Sequence, residues 1–543
     1  MSLGDKFPDA TSKGSDRLNQ SSLADSKYIR SAFRVSTRAH ILAWLALFVV
    51  TVAIRLPYIL HNRQVDDESF YSVAGTEVLE GGDPYRAAVD RKPPLVYYTF
   101  ALLFALVGKY NFVGLHLCAL AWTIATMIGL FVAARRLFSI RAAYAAAFLY
   151  SIFVPVIDYR RQALNGELLL NLPVTWALVL ATWPNNRAFR PEMFVSGALL
   201  GFAFLFKQPA AVAAVPIGLY LLLPSYRRTR GIGGGSSITQ VATLTLGYIA
   251  ALGLVAAWLA HRGVITEAIR WTFITDFVNG PTTLEYWSLA LHAIVLFVLL
   301  PAVPLWACVF ASVREARQGR GYFREIEPEF WALLLLLAAS FVGAAASGRF
   351  FPHYFIQLLV PASLLGAPVL AGVIAREVEY GFFILRRRVL VVWLAACVAI
   401  FFVVQVISFE LRFKGGEAAT FVRENSSQAD RIFVWGPSPD FYLDARRRPA
   451  TRYSATYPLT GFVFGTRLTY APHYDTSSRI FPGAWSTLES DLQAHPPRFV
   501  IDEFSSLGDK YSPPHFPCLR KLLMNYREVD RTARAIVYER QGF

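Results

Sequence analysis

Apolar and polar positions alternate along this chain in long blocks, not with a short period. Runs long enough to cross a bilayer as helices, about 17 to 25 residues each, fall near residues 40–60, 112–134, 141–157, 168–183, 193–207, 209–224, 238–260, 286–311, 329–347, 354–375 and 389–409. The pattern predicts an α-helical polytopic membrane protein with about eleven transmembrane helices. One further apolar run, 95–110, is shorter and follows two prolines, so an interfacial or half-inserted helix is expected there. From residue 412 ordinary polarity returns. Strand-like runs at 433–436, 498–502 and 535–539 and a helix at 517–526 predict a small α/β domain outside the membrane.

The composition agrees with the pattern. The chain is 55% hydrophobic and 17% charged, with mean hydropathy +0.39, too apolar for a soluble protein of 543 residues. The net charge of +15 would suggest nucleic acid in a soluble domain, but here Lys and Arg stand in clusters between apolar runs. Arg135, Arg136 and Arg141, then Arg187 and Arg190, Arg227, Arg228 and Arg230, Arg314 to Arg324, and Arg376 to Arg388 mark every second loop. The positive-inside rule makes these loops cytoplasmic and excludes a nucleic-acid function. The polar, basic segment 1–38 is then a cytoplasmic tail, 39–411 the transmembrane domain with its first external loop at 61–111, and 412–543 an external domain. Cys118, Cys308, Cys397 and Cys518 are too far apart to suggest a disulfide framework or metal site. GIGGGSS at 231–237 lacks the Lys-Ser/Thr of a phosphate-binding loop.

The chemistry concentrates in the opposite, external loops. Residues 66–95 hold Asp66, Asp67 and Glu68, the turn Gly81-Gly82-Asp83-Pro84, and Arg91-Lys92 before Pro93-Pro94. Charges beside a membrane are costly unless water or a ligand satisfies them, so the stretch is either a site or a solvated boundary. On a helix, Asp67 and Tyr71 share a face and suit a hydroxyl-bearing substrate; the same acids would also stabilise a helix start. Lys92 suits a phosphate or snorkels to headgroups. Glu167 opens an apolar helix after Asn165-Gly166, with Asp158 as the rival acid. Lys207 interrupts an apolar run, and Arg349, His353 and Tyr354 introduce the tenth span. Adjacent carboxylates on a helix diverge, so Asp66, Asp67 and Glu68 chelate poorly and no metal is expected.

These residues, read as 67-DESFY-71, GGDPYRAAVDRKPPLVYY at 81–98, 165-NGE-167, 206-FKQPA-210 and 348-GRFFPHYFIQLLVP-361, resemble the lipid-dependent glycosyltransferases of the GT-C superfamily. The likeness is to the bacterial PMT-like group of protein O-mannosyltransferases, lipid A aminoarabinose transferases and rhizobial galacturonosyltransferases. The resemblance implies a GT-C fold in a bacterial inner membrane, with the C-terminal domain periplasmic. It implies sugar transfer, with inversion, from a polyprenyl-monophosphate donor to a hydroxyl of a cell-envelope acceptor, with no cofactor beyond the donor. Asp67 matches the general base, Lys92 the lysine that contacts lipid phosphate, Tyr71 the cavity wall, and Glu167 the second acid. Lys207, His353 and Tyr354 match positions around the lipid-phosphate cavity, and Glu68, Arg91 and Arg349 near them in the sequence are expected to bind substrate as well. Phe70 departs from the arginine found there in aminoarabinose transferases, leaving the donor sugar open. A transporter of lipid-linked sugars and a non-catalytic envelope scaffold are the alternatives.

Overall fold

The computed structural model describes residues 36–60, 67–157, 163–183, 190–231, 233–275, 283–318, 327–346, 348–376, 382–412, 416–462, 471 and 473–542. The tail 1–35, Asp66, and Asp158 with Arg160 and Arg161 lie outside the described residues. The chain forms two compact units, Met1–Val50 and Thr51–Phe543. Of the first, the described part opens helix α1 (Thr37–Ile59).

The second unit is a helical bundle followed by a small sheet domain. Its helices run α2 (Asp67–Leu79), α3 (Leu95–Val107), α4 (Phe112–Leu137), α5 (Ile140–Ile157), α6 (Gly166–Ala181), α7 (Pro191–Phe206), α8 (Ala214–Leu222), α9 (Pro224–Arg230), α10 (Gly234–His261), α11 (Ile265–Ile269), α12 (Thr283–Ala293), α13 (Val303–Arg317), α14 (Glu327–Ala345), α15 (Leu359–Ala375) and α16 (Arg387–Arg412). Among the described residues, six helical stretches are long and apolar enough to cross a membrane: α1, α4, α10, α14, Pro352–Ala375 and Arg387–Val404. Shorter apolar helices accompany them, α3 among them. This is a multi-pass membrane protein.

The helices differ from the apolar runs where proline intervenes. The run 286–311 is not one straight helix: α12 widens to a π-helix at Ile294–Leu299, and α13 begins after Pro301, with Pro304 in its first turn. Proline has no N–H to donate and clashes with the preceding turn, which ends the regular ladder. Likewise Pro209 and Pro216 let the run after Lys207 begin as a tight 3₁₀ turn, Gln208–Ala213, before α8. The 3₁₀ turn Pro352–Leu358 leads in the same way into α15.

The C-terminal domain opens with α17 (Glu417–Glu424) and β1 (Arg431–Trp435), then α18 (Asp440–Ala445), β2 (Arg448–Pro449), α19 (Ala484–Ala494), β3 (Phe499–Asp502), α20 (Pro517–Leu523), β4 (Tyr526–Arg531) and β5 (Ile536–Arg540). The sheet order is β2-β1-β3-β5-β4, with β1 parallel to β2 and β3, and β5 antiparallel to β3 and β4. The apolar runs at 433, 498 and 535 are the three central strands. The edges carry no such run: β2 is two residues long, and β4 reads YREVDR with a bulge at Glu528/Asp530. Charged, irregular edges of this kind resist pairing with another chain.

At the end of β3, Glu503 accepts hydrogen bonds from the Ser438 N–H at 3.0 Å and the Ser438 hydroxyl at 2.5 Å, with Arg534 Nη2 at 3.3 Å. Burial, reinforced by Asp440, pushes its carboxyl up to about 7 against the pull of Ser438 and Arg534. Folding therefore favours the protonated acid, a contribution fully present below the ordinary value of 4.5 and lost as pH rises through about 7. The domain is expected to lose on the order of 3 kcal/mol of stability between about pH 5 and pH 8. A thermal unfolding series checks this, and Glu503→Gln is expected to flatten it.

Candidate active site

Helix α2 carries the acids, and its seating depends on a glycine. A Cβ at Gly75 would stand 2.6 Å from Phe100 Cβ, so only glycine lets α2 lie this close to α3. Tyr71, one turn past Asp67, is fully buried edge-on against Phe100, with ring centroids 5.5 Å apart. Its hydroxyl donates to Asp67 Oδ2 at 3.1 Å, so the two do share a helix face.

Around that carboxylate three other segments converge. Lys92 Nζ lies 3.8 Å from Asp67 Oδ2 and His353 Nε2 3.4 Å from the same oxygen. His353 comes from the 3₁₀ turn before α15 and packs edge-on against Tyr354, with ring centroids 4.8 Å apart. Tyr354 in turn covers the Lys207 ammonium, which sits 3.8 Å from its ring centroid. Lys207 is paired with Glu167. Asn165 caps α6, accepting from Leu168 N–H at 2.9 Å, and so fixes Glu167 in the first helical turn. Burial works upward on the Asp67 carboxyl, but Lys92, His353 and Lys207 outweigh it and hold it well below the usual carboxylate range.

Exposure separates the acids. Asp67 keeps 28% and Lys92 13% of their side-chain surface, whereas Glu68 and Glu167 keep none. A substrate can reach the first pair, not the second. Glu68 points away from the cluster: it accepts from Tyr58 Oη at 2.8 Å and Leu164 N–H at 3.0 Å, with His116 Nε2 at 3.2 Å. It ties α1, α4 and the loop before α6 together. Losing its carboxylate strands these donors in a dry interior, so Glu68→Ala is expected to destabilise the fold by about 3 kcal/mol or more, seen as a lowered melting midpoint of the detergent-solubilised protein.

The structure also places the remaining expected residues. Arg91 is buried, with its guanidinium over the Tyr457 ring at 4.9 Å. Arg349 is half-buried in the bend between Gly348 (φ 64°) and Phe350 (φ 48°) that turns the chain toward His353. Among the described residues no three His, Cys, Asp or Glu side chains converge as metal ligands.

Several residues that hold Lys92 were not singled out from the sequence. The Lys92 carbonyl accepts from Tyr85 Oη at 2.7 Å, and its N–H donates to Tyr97 Oη at 3.0 Å. The Tyr97 hydroxyl also lies 3.0 Å from the Lys92 carbonyl and 3.2 Å from Asp90, sharing its proton between them. Gln208 Nε2 bridges the Arg91 carbonyl at 3.2 Å and the Thr272 carbonyl at 2.7 Å. Tyr85 and Tyr97 flank the Lys-Pro-Pro run, a signal visible in the sequence. Gln208 and Thr272 carry none. His116, alone in an apolar run, was a legible mark of a buried polar contact.

Asp67 at the start of α2, Lys92 before α3 and His353 before α15 thus converge in one site of a multi-pass helical protein. Residues 91–261 match the family model described as dolichyl-phosphate-mannose-protein mannosyltransferase. The fold matches that of ArnT from Cupriavidus metallidurans bound to undecaprenyl phosphate, at 15% identity, covering 93% of this chain and 98% of that one, with a TM-score of 0.58. It also matches the oligosaccharyltransferase AglB from Archaeoglobus fulgidus in complex with an inhibitory peptide and a dolichol-phosphate, at 14% identity, 93% and 74% coverage and a TM-score of 0.50. No curated protein matches the chain. The family match is confined to residues 91–261, and the likeness to the solved structures is one of fold.

Proposed function

We propose that the protein transfers a sugar from a polyprenyl-monophosphate donor to a hydroxyl of a cell-envelope acceptor, with inversion, on the periplasmic face of a bacterial inner membrane. The observation that carries this reading is the accessible pair of Asp67 and Lys92, with Lys92 Nζ 3.8 Å from the carboxylate. The lipid tail keeps the donor in the bilayer, so its sugar-phosphate head must be met near the membrane surface; Asp67 opens α2 and Lys92 stands just before α3. ArnT and AglB, of like fold, were solved bound to undecaprenyl phosphate and in complex with a dolichol-phosphate, respectively.

In this reaction the acceptor oxygen bonds to the anomeric carbon as the bond from that carbon to the phosphate oxygen breaks. The acceptor proton passes to Asp67, and the electron pair leaves with the polyprenyl phosphate. Lys92 stabilises the charge that grows on the phosphate. A carboxylate held at low pKa is a weak base in the resting site. Phosphate binding draws the Lys92 charge toward the donor and so raises the basicity of Asp67 when a substrate is present. His353 and Tyr71 orient the carboxylate. Glu167 fixes Lys207 beneath Tyr354, where its field reaches the same site.

The test is direct. Purified protein in proteoliposomes is given polyprenyl-monophosphate sugars and envelope extract, and transfer is followed by mass spectrometry of glycans and glycolipids. Release of polyprenyl phosphate coupled to a new glycoside supports the reading. Movement of the intact donor across the bilayer without transfer overturns it.

A further inference from the structure

The segment bearing the two reactive charges is gripped from the C-terminal domain at three points. Buried Glu77, near the end of α2, accepts two hydrogen bonds from the Arg448 guanidinium, Nε at 2.9 Å and Nη2 at 2.7 Å. The Val89 N–H donates to the Arg452 carbonyl at 2.8 Å, and Val89 pairs with Tyr453 as an isolated parallel bridge. The Arg91 guanidinium covers Tyr457 at 4.9 Å. Arg448 is itself fixed in β2, in register with Arg431 of the central strand β1.

A second attachment reaches the same loop from its other side. Trp271 stacks on Phe481 with ring centroids 4.3 Å apart, and Arg270 lies over the same ring at 4.5 Å and donates to the Pro482 carbonyl at 3.2 Å. Thr272, next along, has its hydroxyl 3.3 Å from Tyr85 Oη, the group that also donates to the Lys92 carbonyl.

The geometry has one consequence for the site. Helix α2 starts at Asp67 and is a rigid rod of 13 residues, so holding Glu77 fixes the direction in which Asp67 is presented. Arg91 and Lys92 are neighbours, so holding Val89 and Arg91 fixes where Lys92 begins. The spacing of the two charged groups is thus set by a domain that supplies neither of them. A bidentate guanidinium–carboxylate pair suits this task because it fixes angle as well as distance.

We infer that the C-terminal domain is a clamp that positions the catalytic pair, with Arg448 and Tyr457 as positioning residues. The inference rests on the proposed transfer reaction for its functional meaning, but the clamp itself is measurable without it. In the full-length protein, Arg448→Ala is expected to speed amide hydrogen exchange over residues 85–92 and to lower kcat/KM for the lipid donor about tenfold to a hundredfold, with exchange in the helices away from that loop unchanged. The reversed pair Glu77→Arg with Arg448→Glu is expected to restore both, and Arg448→Lys, which lacks the fork, to restore them only in part. Tyr457→Ala, which spares the ion pair, is expected to act in the same direction.

Wild-type exchange in Arg448→Ala and Tyr457→Ala overturns the clamp. So does a loss of activity that follows a lowered melting midpoint with exchange raised throughout the chain. If the wild-type protein transfers no sugar, the transfer reading falls, while the exchange data and their rescue by the reversed pair still decide the clamp.

Discussion

Asp67→Asn is expected to leave the protein folded and to lower kcat/KM for sugar transfer by about 10² to 10⁴, the usual contribution of a positioned general base. The amide keeps the size of the carboxylate and can still accept from Tyr71, so packing is preserved. What it loses is the ability to take the acceptor proton. Asp67→Ala is expected to be no worse catalytically, because the proton acceptor is already gone. The contrast with its neighbour is the sharper check. Glu68 is engaged by Tyr58, His116 and Leu164 and has no exposed surface, so its loss shows in the melting curve, whereas that of Asp67 shows in turnover.

The pH dependence follows from the cations that hold the Asp67 carboxyl below its ordinary value of 3.8. The base form is retained at all higher pH, and activity limited by Asp67 falls only as pH drops through that depressed value. The rate profile of the free enzyme is therefore expected to show no acid limb from Asp67 across the mildly acidic range.

Lys92→Ala is expected to lower kcat/KM by about 10² to 10³, the size of effect seen when one preorganised group facing developing charge is removed. Donor affinity should fall with it, since the ammonium meets the phosphate in the ground state as well. The same substitution removes the largest cationic influence on Asp67. The acid limb is then expected to move upward, toward the measurable range, in a pH series of kcat/KM. Lys92→Arg keeps the charge but presents a planar fork on a different stem, so it is expected to recover part of the rate. Loss of rate with an unmoved limb would place Lys92 away from Asp67 in the working enzyme.

Much of the molecule was legible in the sequence because membrane burial leaves a strong mark. A spanning helix must satisfy its own backbone and face lipid, which requires a long apolar run, and α1, α4, α10 and α14 stand where such runs do. Asp67 and Tyr71 were legible as a pair because the helical period places residues four apart on one face. Proline-borne breaks were less so: the run through 286–311 reads as continuous, and only the backbone reveals the widened turn at Ile294–Leu299. The edge strands β2 and β4 were hidden because an edge needs no apolar alternation to be held.

The sequence by itself determined that this is a polytopic membrane protein with its ionisable residues gathered in particular loops and a separate C-terminal domain. It did so because hydrophobic length and local periodicity are properties of consecutive residues. Only the tertiary structure decided which charges meet. Glu68 and Glu167 looked like further acids of the site, and folding buries both, the first against Tyr58 and His116, the second against Lys207. Arg91, expected to face substrate, lies on Tyr457, and Glu77, unremarkable in its helix, holds Arg448. Each of these pairings joins residues from distant parts of the chain, and no period or run length encodes a partner that only packing brings within hydrogen-bonding distance.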